Sequence, residues 1–349
     1  MKKYFFYILL VAFSLPMSAE KFEKDGLIYI TGSSKWGTAQ NGGTAFVNCI
    51  GTLSLEGRPF VSVTGCSSDS IKEISIPEKV TYEEVEYDVI SINDKSFYNY
   101  TNLEKVIIPS SVVHIGAAAF NGTALYNNPE MYDNGMLIID GCLIKFQVND
   151  DIKQLDIPDN VRVIADLSCC GNTGERYALG AYGTNLTKVT FPENLTTIGE
   201  QAFFGSVALN NVELPKNLKF LGEQAFDSSP VTKVTLPDGL ICLGAKAFSL
   251  GSSNSFDFYC YSSYVPEWYS FISKYGYDYK KVIVHVAESM AEEYSNAKIW
   301  MYFTIIEDIT PVENIKQESA SVSNKIMDNG NIYIHRDGRR YNLLGAEVR

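Results

Sequence analysis

Three histidines, seven cysteines and one run of carboxylates are the residues in this 349-residue chain that could do chemistry. His114, His285 and His335 stand in none of the spacings that bind metal, such as HxxxH or HExxH. His114 falls between Val112 and Ile115 and reads as a surface or turn histidine rather than a base. Glu83-Glu84-Glu86 places three acids within four positions. Paired acids can cleave glycosides, but a charge run in an inserted turn is the composition of a solvated loop. The cysteines (Cys49, Cys66, Cys142, Cys169, Cys170, Cys242 and Cys260) are odd in number and lack a CxxC pair, which argues against zinc. Cys169 and Cys170 are adjacent and poorly placed to bridge one another, and a reactive thiol needs a positive neighbour. The expectation for the set is small buried hydrophobes. With no GxSxG, P-loop, dinucleotide fingerprint or EF-hand loop, the expected catalytic, cofactor-binding and metal residues are none.

The elements that would have to position any site are a repeat. Leu186-Thr-Lys-Val-Thr-Phe-Pro192 leads to Ile198-Gly199 and Ala202-Phe203. The same pattern returns at Val212-Glu-Leu-Pro215, Leu221-Gly222 and Ala225-Phe226, and at Val234-Thr-Leu-Pro237, Leu243-Gly244 and Ala247-Phe248. Glycine follows proline by seven and phenylalanine follows glycine by four, as they also do in Pro109, Gly116 and Phe120. Two degenerate copies start at Ile74-Ser-Ile-Pro77 and Leu155-Asp-Ile-Pro158, the second with Cys169 where phenylalanine is due.

Within one unit, alternation turns Val189 and Phe191 inward and Lys188 and Thr190 outward. Pro192 cannot donate to a ladder and ends the strand. Gly199 is expected to permit a sharp turn, and Phe203 to fill the space between coils. One unit cannot bury its apolar side alone, so the copies must stack. The fold class expected is a β-dominated α/β-type repeat, a solenoid of about six coils with a period near 23 residues.

The pattern L-x-x-V-x-I-P-x-x-V-x-x-I-G-x-x-A-F resembles the BspA-type leucine-rich repeat of Bacteroidetes surface proteins. The resemblance covers roughly residues 71–250 and implies a cell-surface protein that acts by adhesion or protein binding. The segment from Val284 to Glu307 is similar to the unit that closes such arrays, with Ala287 where proline is usual. The Asn-x-Thr triplets at Asn99, Asn121, Asn185 and Asn194 would be incidental in a bacterium.

Outside the repeats, residues 1–19 read as a signal peptide: Lys2 and Lys3, an apolar run of about 12 residues, then Pro16-Met17-Ser18-Ala19. That run is shorter than the roughly 20 residues of a membrane helix, and nothing later could span a bilayer. Residues 20–70 should form a β-rich N-terminal cap. Residues 121–151 hold an insertion whose hairpin, turning at Asp140-Gly141, should project from the array. Residues 251–310 should form a C-terminal capping unit, with a short helix over 287–300 presenting Met290, Tyr294 and Ala297. Residues 311–349 should be a linker and a β-hairpin tail.

The formal charge is −12, and removing Lys2 and Lys3 with the signal takes it to −14. That balance disfavours nucleic acid, which needs surplus cations. The surface left for function is the outward side of the stacked strands. Four positions before each proline stand Glu73, Lys105, Gln154, Lys188, Asn211 and Lys233; two before stand Ser75, Ile107, Asp156, Thr190, Glu213 and Thr235. Mixed signs down such a ladder avoid like-charge repulsion, and no aromatic cluster is expected among them. The reading is a monomeric, non-catalytic, surface or secreted binding protein. It needs no cofactor, and its partner is a protein or glycan. The alternative is a structural or glycan-associated envelope component.

Overall fold

The computed structural model describes residues 20–32, 58–148, 151–170, 184–248, 255–269 and 279–309, together with strands at 322–328, 331–336, 339–341 and 347–348. The coils stack as two separate files of parallel rungs, the first of them broken into three sheets. The first holds the segments before the prolines: Glu73–Ser75 pairs with Lys105–Ile107, Gln154–Asp156 with Lys188–Thr190, and Lys233–Leu236 with Phe256–Cys260. The second holds the segments before the glycines: Val163–Ile164, Thr197–Ile198, Phe220–Leu221, Cys242–Gly244 and Glu267–Tyr269 in succession.

The proline does more than end a strand. The carbonyls of Pro109, Pro158, Pro192, Pro215 and Pro237 each accept a bond from the N–H three residues on, closing a turn that drops the next aliphatic residue into the core. Val112, Val161, Leu195, Leu218 and Leu240 are those residues, and all are fully buried.

The phenylalanines stack as expected. Phe203 and Phe226 lie 5.2 Å apart and parallel within 1°, and Phe226 and Phe248 are 5.4 Å apart. Cys169 fills the same station and is buried. Phe146, whose N–H donates to the carbonyl of Ser168 as that of Phe203 does to Ala225, belongs to the same core and stands in the same file one rung before Cys169.

The glycines serve a different purpose from the one their sequence position suggests. None of Gly116, Gly199, Gly222 and Gly244 has a left-handed φ. A Cβ on Gly222 would lie 2.4 Å from the backbone nitrogen of Glu200, and one on Gly244 2.3 Å from that of Glu223. They are needed for the close approach of successive coils. The left-handed residue is the one two places later: Ala118, Leu167, Gln201, Gln224 and Lys246 all have φ between 54° and 56°. That conformation aims the N–H of Gln201 at the carbonyl of Glu223, and that of Gln224 at Ala245.

The Met136–Phe146 hairpin turns at Asp140-Gly141, both at positive φ, as a two-residue connection. It does not project. Its second strand, Cys142–Phe146, pairs in parallel with Val163–Ile164 and is a rung of the second ladder. Leu137, Cys142 and Leu143 are completely buried. Both strands are apolar on both faces, the pattern of an element enclosed on two sides rather than one standing in water. Asp140 accepts from the N–H of Ile108 at 2.8 Å, binding the insertion to the coil before it, and the Arg162 guanidinium of the coil after it donates to the carbonyls of Pro109 (2.8 Å) and Val112, tying the two flanking coils together.

At the N-terminal end, Lys21–Lys24 and Leu27–Thr31 form a hairpin that leads into Phe60–Cys66, and this strand pairs in parallel with Val85–Ile92 of the first coil. Residues 33–57 of the expected cap lie outside the described residues. At the other end, the expected capping unit carries further rungs of the array. Phe256–Cys260, Val282–Val286 and Thr304–Glu307 continue the first ladder, so the solenoid makes about nine turns. The helix Ala291–Asn296 lies between 3-10 turns at Glu288–Met290 and Trp300–Tyr302, with Met290 and Tyr294 buried and Ala297 half-buried. Trp300, held by its indole N–H to the carbonyl of Pro266 at 2.9 Å, packs edge-on to Trp268, whose ring centroid is 5.1 Å away.

The tail is larger than a hairpin. Val322–Asp328, Asn331–Arg336, Arg339–Tyr341 and Glu347–Val348 form a four-stranded antiparallel sheet, so the polar stretch read as linker already becomes strand at Val322.

Candidate binding face

The rungs Glu73–Ser75, Lys105–Ile107, Gln154–Asp156 and Lys188–Thr190 of the first ladder show the same alternation, with a buried middle residue between two exposed ones. Glu73, Lys105, Ile107, Gln154, Asp156, Lys188, Thr190, Asn211, Glu213, Lys233 and Thr235 are all exposed. The structure brings them onto one surface but divides them into two unlike halves.

In the N-terminal half the polar groups satisfy one another. Lys105 Nζ reaches Glu73 Oε1 at 2.5 Å across the rung. Gln154 donates to both carboxylate oxygens of Asp156 at 2.9 Å. Hydrogen bonds from Gln154 and Thr190 hold the Asp156 carboxyl below its usual range, and Lys188 adds to this. Such exposed pairs contribute little to stability, but they leave few groups open to a ligand.

The C-terminal half is different. Asn211–Leu214 pairs with neither Lys188–Thr190 nor Lys233–Leu236, so the ladder breaks there, as it also does between Lys105–Ile107 and Gln154–Asp156. Among the described residues, only the break at Asn211–Leu214 is lined as a cleft by unpaired charges. Its outward residues, Asn211 and Glu213, have low strand propensity where the rungs on either side carry Thr190 and Thr235. A cleft of about 620 Å³ opens over this interruption and is lined across three coils by Asn211 and Glu213, by Lys233 and Thr235, and by Tyr259 and Tyr261. Among the described residues Glu213 and Lys233 have no ion-pair partner, whereas Lys216 at the rim is held by Glu193 at 2.7 Å.

An aromatic pair also stands on this face, contrary to the expectation of none. Thr235, Tyr259 and His285 are successive rungs in register. The Tyr259 and His285 rings stack at 4.4 Å and within 5°. His285 is fixed from the other side by Asp308, 2.8 Å from Nδ1. The alternation of Phe256–Cys260 and Val282–Val286 could have revealed these two residues. The missing proline after each strand hid their register.

The remaining candidates are structural. His114 is not a surface histidine: it is 1% exposed, in contact with Ser91 Oγ (2.8 Å from Nδ1) and Asp166 Oδ2 (3.0 Å from Nε2). Both residues of the short Ser91-Ile92 and His114-Ile115 rungs are buried, so strict alternation fails there. A serine, a histidine and an aspartate in contact suggest a hydrolase. However, Ser91 and Asp166 are also under 4% exposed, and Asp166 Oδ1 already accepts from the N–H of Glu200 at 2.7 Å. No substrate carbonyl can reach the serine, and the three groups tie coils together.

Glu83 and Glu84 form the exposed turn of the Lys79–Ile92 hairpin, and Glu86 pairs with Lys79 at 2.5 Å. Burial pushes the thiols of Cys142, Cys169 and Cys260 up to about 12, far from the thiolate that redox chemistry requires. Cys242 departs from the expectation of an unlinked buried residue: it is buried and disulfide-bonded. Among the described residues no cluster of His, Cys, Asp and Glu could hold a metal, and no helix is long and apolar enough to cross a membrane. The signal segment, Cys49 and His335's side chain lie outside what is described.

Two parallel ladders, a stacked phenylalanine file and an exposed polar face define a leucine-rich-repeat β-solenoid. The sequence matches the BspA type leucine rich repeat region in six copies, over residues 64–173 and 177–273. The chain belongs to that family. Solved structures similar to it include a leucine-rich repeat protein from Bacteroides ovatus (20% identity, 76% of this chain and 70% of that one, TM-score 0.27). A second is the pneumococcal vaccine antigen PcpA (13% identity, 83% and 99%, TM-score 0.34). A third is a leucine rich cell surface protein from Faecalibacterium prausnitzii (15% identity, 86% and 97%, TM-score 0.23). A search of curated proteins found no match.

Proposed function

We propose that this chain is an exported, non-catalytic binding protein, adhesin-like in mode, that engages a protein or glycan through the outward face of its first ladder. The observation that carries this is the contrast within that face. Glu73, Lys105, Gln154 and Asp156 are internally paired, while Glu213 and Lys233 stand unpaired around a cleft of about 620 Å³. Ligand sites are typically concavities of about 300–1,000 Å³ with a few placed polar groups. Export rests on the signal-like residues 1–19, and a surface location on the family.

Protease shaving of intact cells tests the location: loss of the protein without lysis is expected, and full protection contradicts it. Pull-downs against immobilised matrix proteins and glycans test the face. Binding is expected for the wild type and not for a Lys105→Glu, Lys188→Glu, Lys233→Glu triple variant with an unchanged melting temperature. Binding that survives the triple change moves the site off this ladder.

A further inference from the structure

We infer that the cleft between Asn211 and Tyr261 is a carbohydrate subsite, taking a neutral oligosaccharide with one sugar ring laid on the face of Tyr259. The inference rests on the reading above that the first-ladder face binds a ligand, and it names the ligand's chemistry.

The first argument is the shape of the file Glu213, Thr235, Tyr259, His285. Tyr259 is backed on one side by the stacked imidazole of His285, 4.4 Å away, and the residue on its other side in register is the small Thr235. The cleft is lined by Glu213, Thr235 and Tyr259 together. A ring braced from behind and open in front is a flat platform. The electron-rich face of an aromatic ring attracts the polarised C–H groups that one side of a pyranose presents. His285 is itself held by Asp308 at 2.8 Å, so the platform is fixed before any ligand arrives.

The second argument is charge. Two carboxylates, Glu213 and Asp238, and two ammonium groups, Lys216 and Lys233, line the cleft, so its formal charges cancel. A polyanion would meet the two acids and a polycation the two lysines. Asn211 and Thr235 add groups that both donate and accept. Balanced donors and acceptors around an aromatic face suit hydroxyls, which are also both.

The third argument is what the cleft lacks. Val212, Val234 and Leu236 reach it but are 5%, 3% and 2% exposed, so the apolar surface it offers comes from half-buried Leu214 and the rings of Tyr259 and Tyr261, a flat lining rather than a deep well for the anchor side chain of a protein partner.

The test uses the chain from residue 20 onward on an array of neutral oligosaccharides, with heparin and polygalacturonate as acidic controls and immobilised matrix proteins in parallel. Wild type, Tyr259→Ala and Tyr259→Phe are compared after their melting temperatures are shown to agree. Binding to neutral glycans that Tyr259→Ala weakens about tenfold or more, and that Tyr259→Phe retains, is expected. Binding only to acidic glycans overturns the inference. So does capture of a matrix protein, but not of any neutral glycan, in a Tyr259-dependent way; that result leaves the face as a binding site. Binding to neither glycan nor protein overturns both readings.

Discussion

Replacing Gly222 with alanine tests the packing of the coils at the point where it is tightest. The new Cβ would lie 2.4 Å from the nitrogen of Glu200 and 2.4 Å from the carbonyl carbon of Gly199. Both are backbone atoms of the preceding coil, so no side-chain rotation relieves the overlap. Ordinary contact requires the two coils to separate by roughly 1 Å. The bond from Gly222 N–H to the Ile198 carbonyl, now 2.8 Å, would then be lost, and the Phe203–Phe226 stack at 5.2 Å would loosen.

One hydrogen bond at about 1 kcal/mol plus overpacking at about 1–3 kcal/mol gives a destabilisation of roughly 2–4 kcal/mol. In urea that corresponds to a midpoint lower by about 1 M. Gly239 is the internal control. It has no left-handed φ, and the nearest atom to its Cβ would be the Lys216 carbonyl oxygen at 3.9 Å. Gly239→Ala should be neutral or stabilise by about 0.4–1 kcal/mol. Urea melts followed by tryptophan fluorescence and circular dichroism measure both. Equal midpoints for the two variants would refute the claim that the repeat glycine exists for coil approach.

Three further outcomes are expected. Buried thiols at about 12 in the fold and about 9 when unfolded favour the protonated state, so their contribution is intact below pH 9 and lost as pH rises toward 12. By pH 10.5 each thiol should cost roughly 2 kcal/mol, and a variant with Cys142, Cys169 and Cys260 changed to alanine should lose stability less steeply over that limb; identical slopes would count against it. Arg162→Ala removes donors to the carbonyls of Pro109 and Val112 and should destabilise by about 1.5–3 kcal/mol in a urea melt, with early hydrogen exchange around 109–112. Glu84→Gly relieves a left-handed residue (φ 66°) in an exposed two-residue turn and should raise stability by up to about 1 kcal/mol; a lower melting temperature would contradict the turn assignment.

Much of the array was legible because its signals are local and periodic. Proline, glycine and phenylalanine at spacings of seven and four are each required by one turn, so Pro192, Gly199 and Phe203 announce a coil by themselves. The errors arose where the cause is not local. The Met136–Phe146 hairpin looks like an insertion in sequence, and only the pairing of Cys142 with Val163 shows that it occupies a rung. His114 looked exposed because alternation was extended to a two-residue rung that is covered on both faces.

The binding face was half legible. Its outward positions follow from counting back from each proline. The ladder beyond Pro237 carries no proline marker, so Tyr259 and His285 were missed. The cleft depends on the failure of Asn211–Leu214 to pair, for which residue counting gives no sign.

The central claim is that ligand is held at the half of the face that carries the cleft over Asn211–Leu214. The most direct test compares two charge-reversed variants for binding to whichever immobilised glycan or matrix protein retains the wild type: Glu213→Lys with Lys233→Glu, and Glu73→Lys with Lys105→Glu. The account predicts that the first pair weakens binding about tenfold or more while the second leaves it unchanged. Full retention by the first pair, or loss confined to the second, would contradict it.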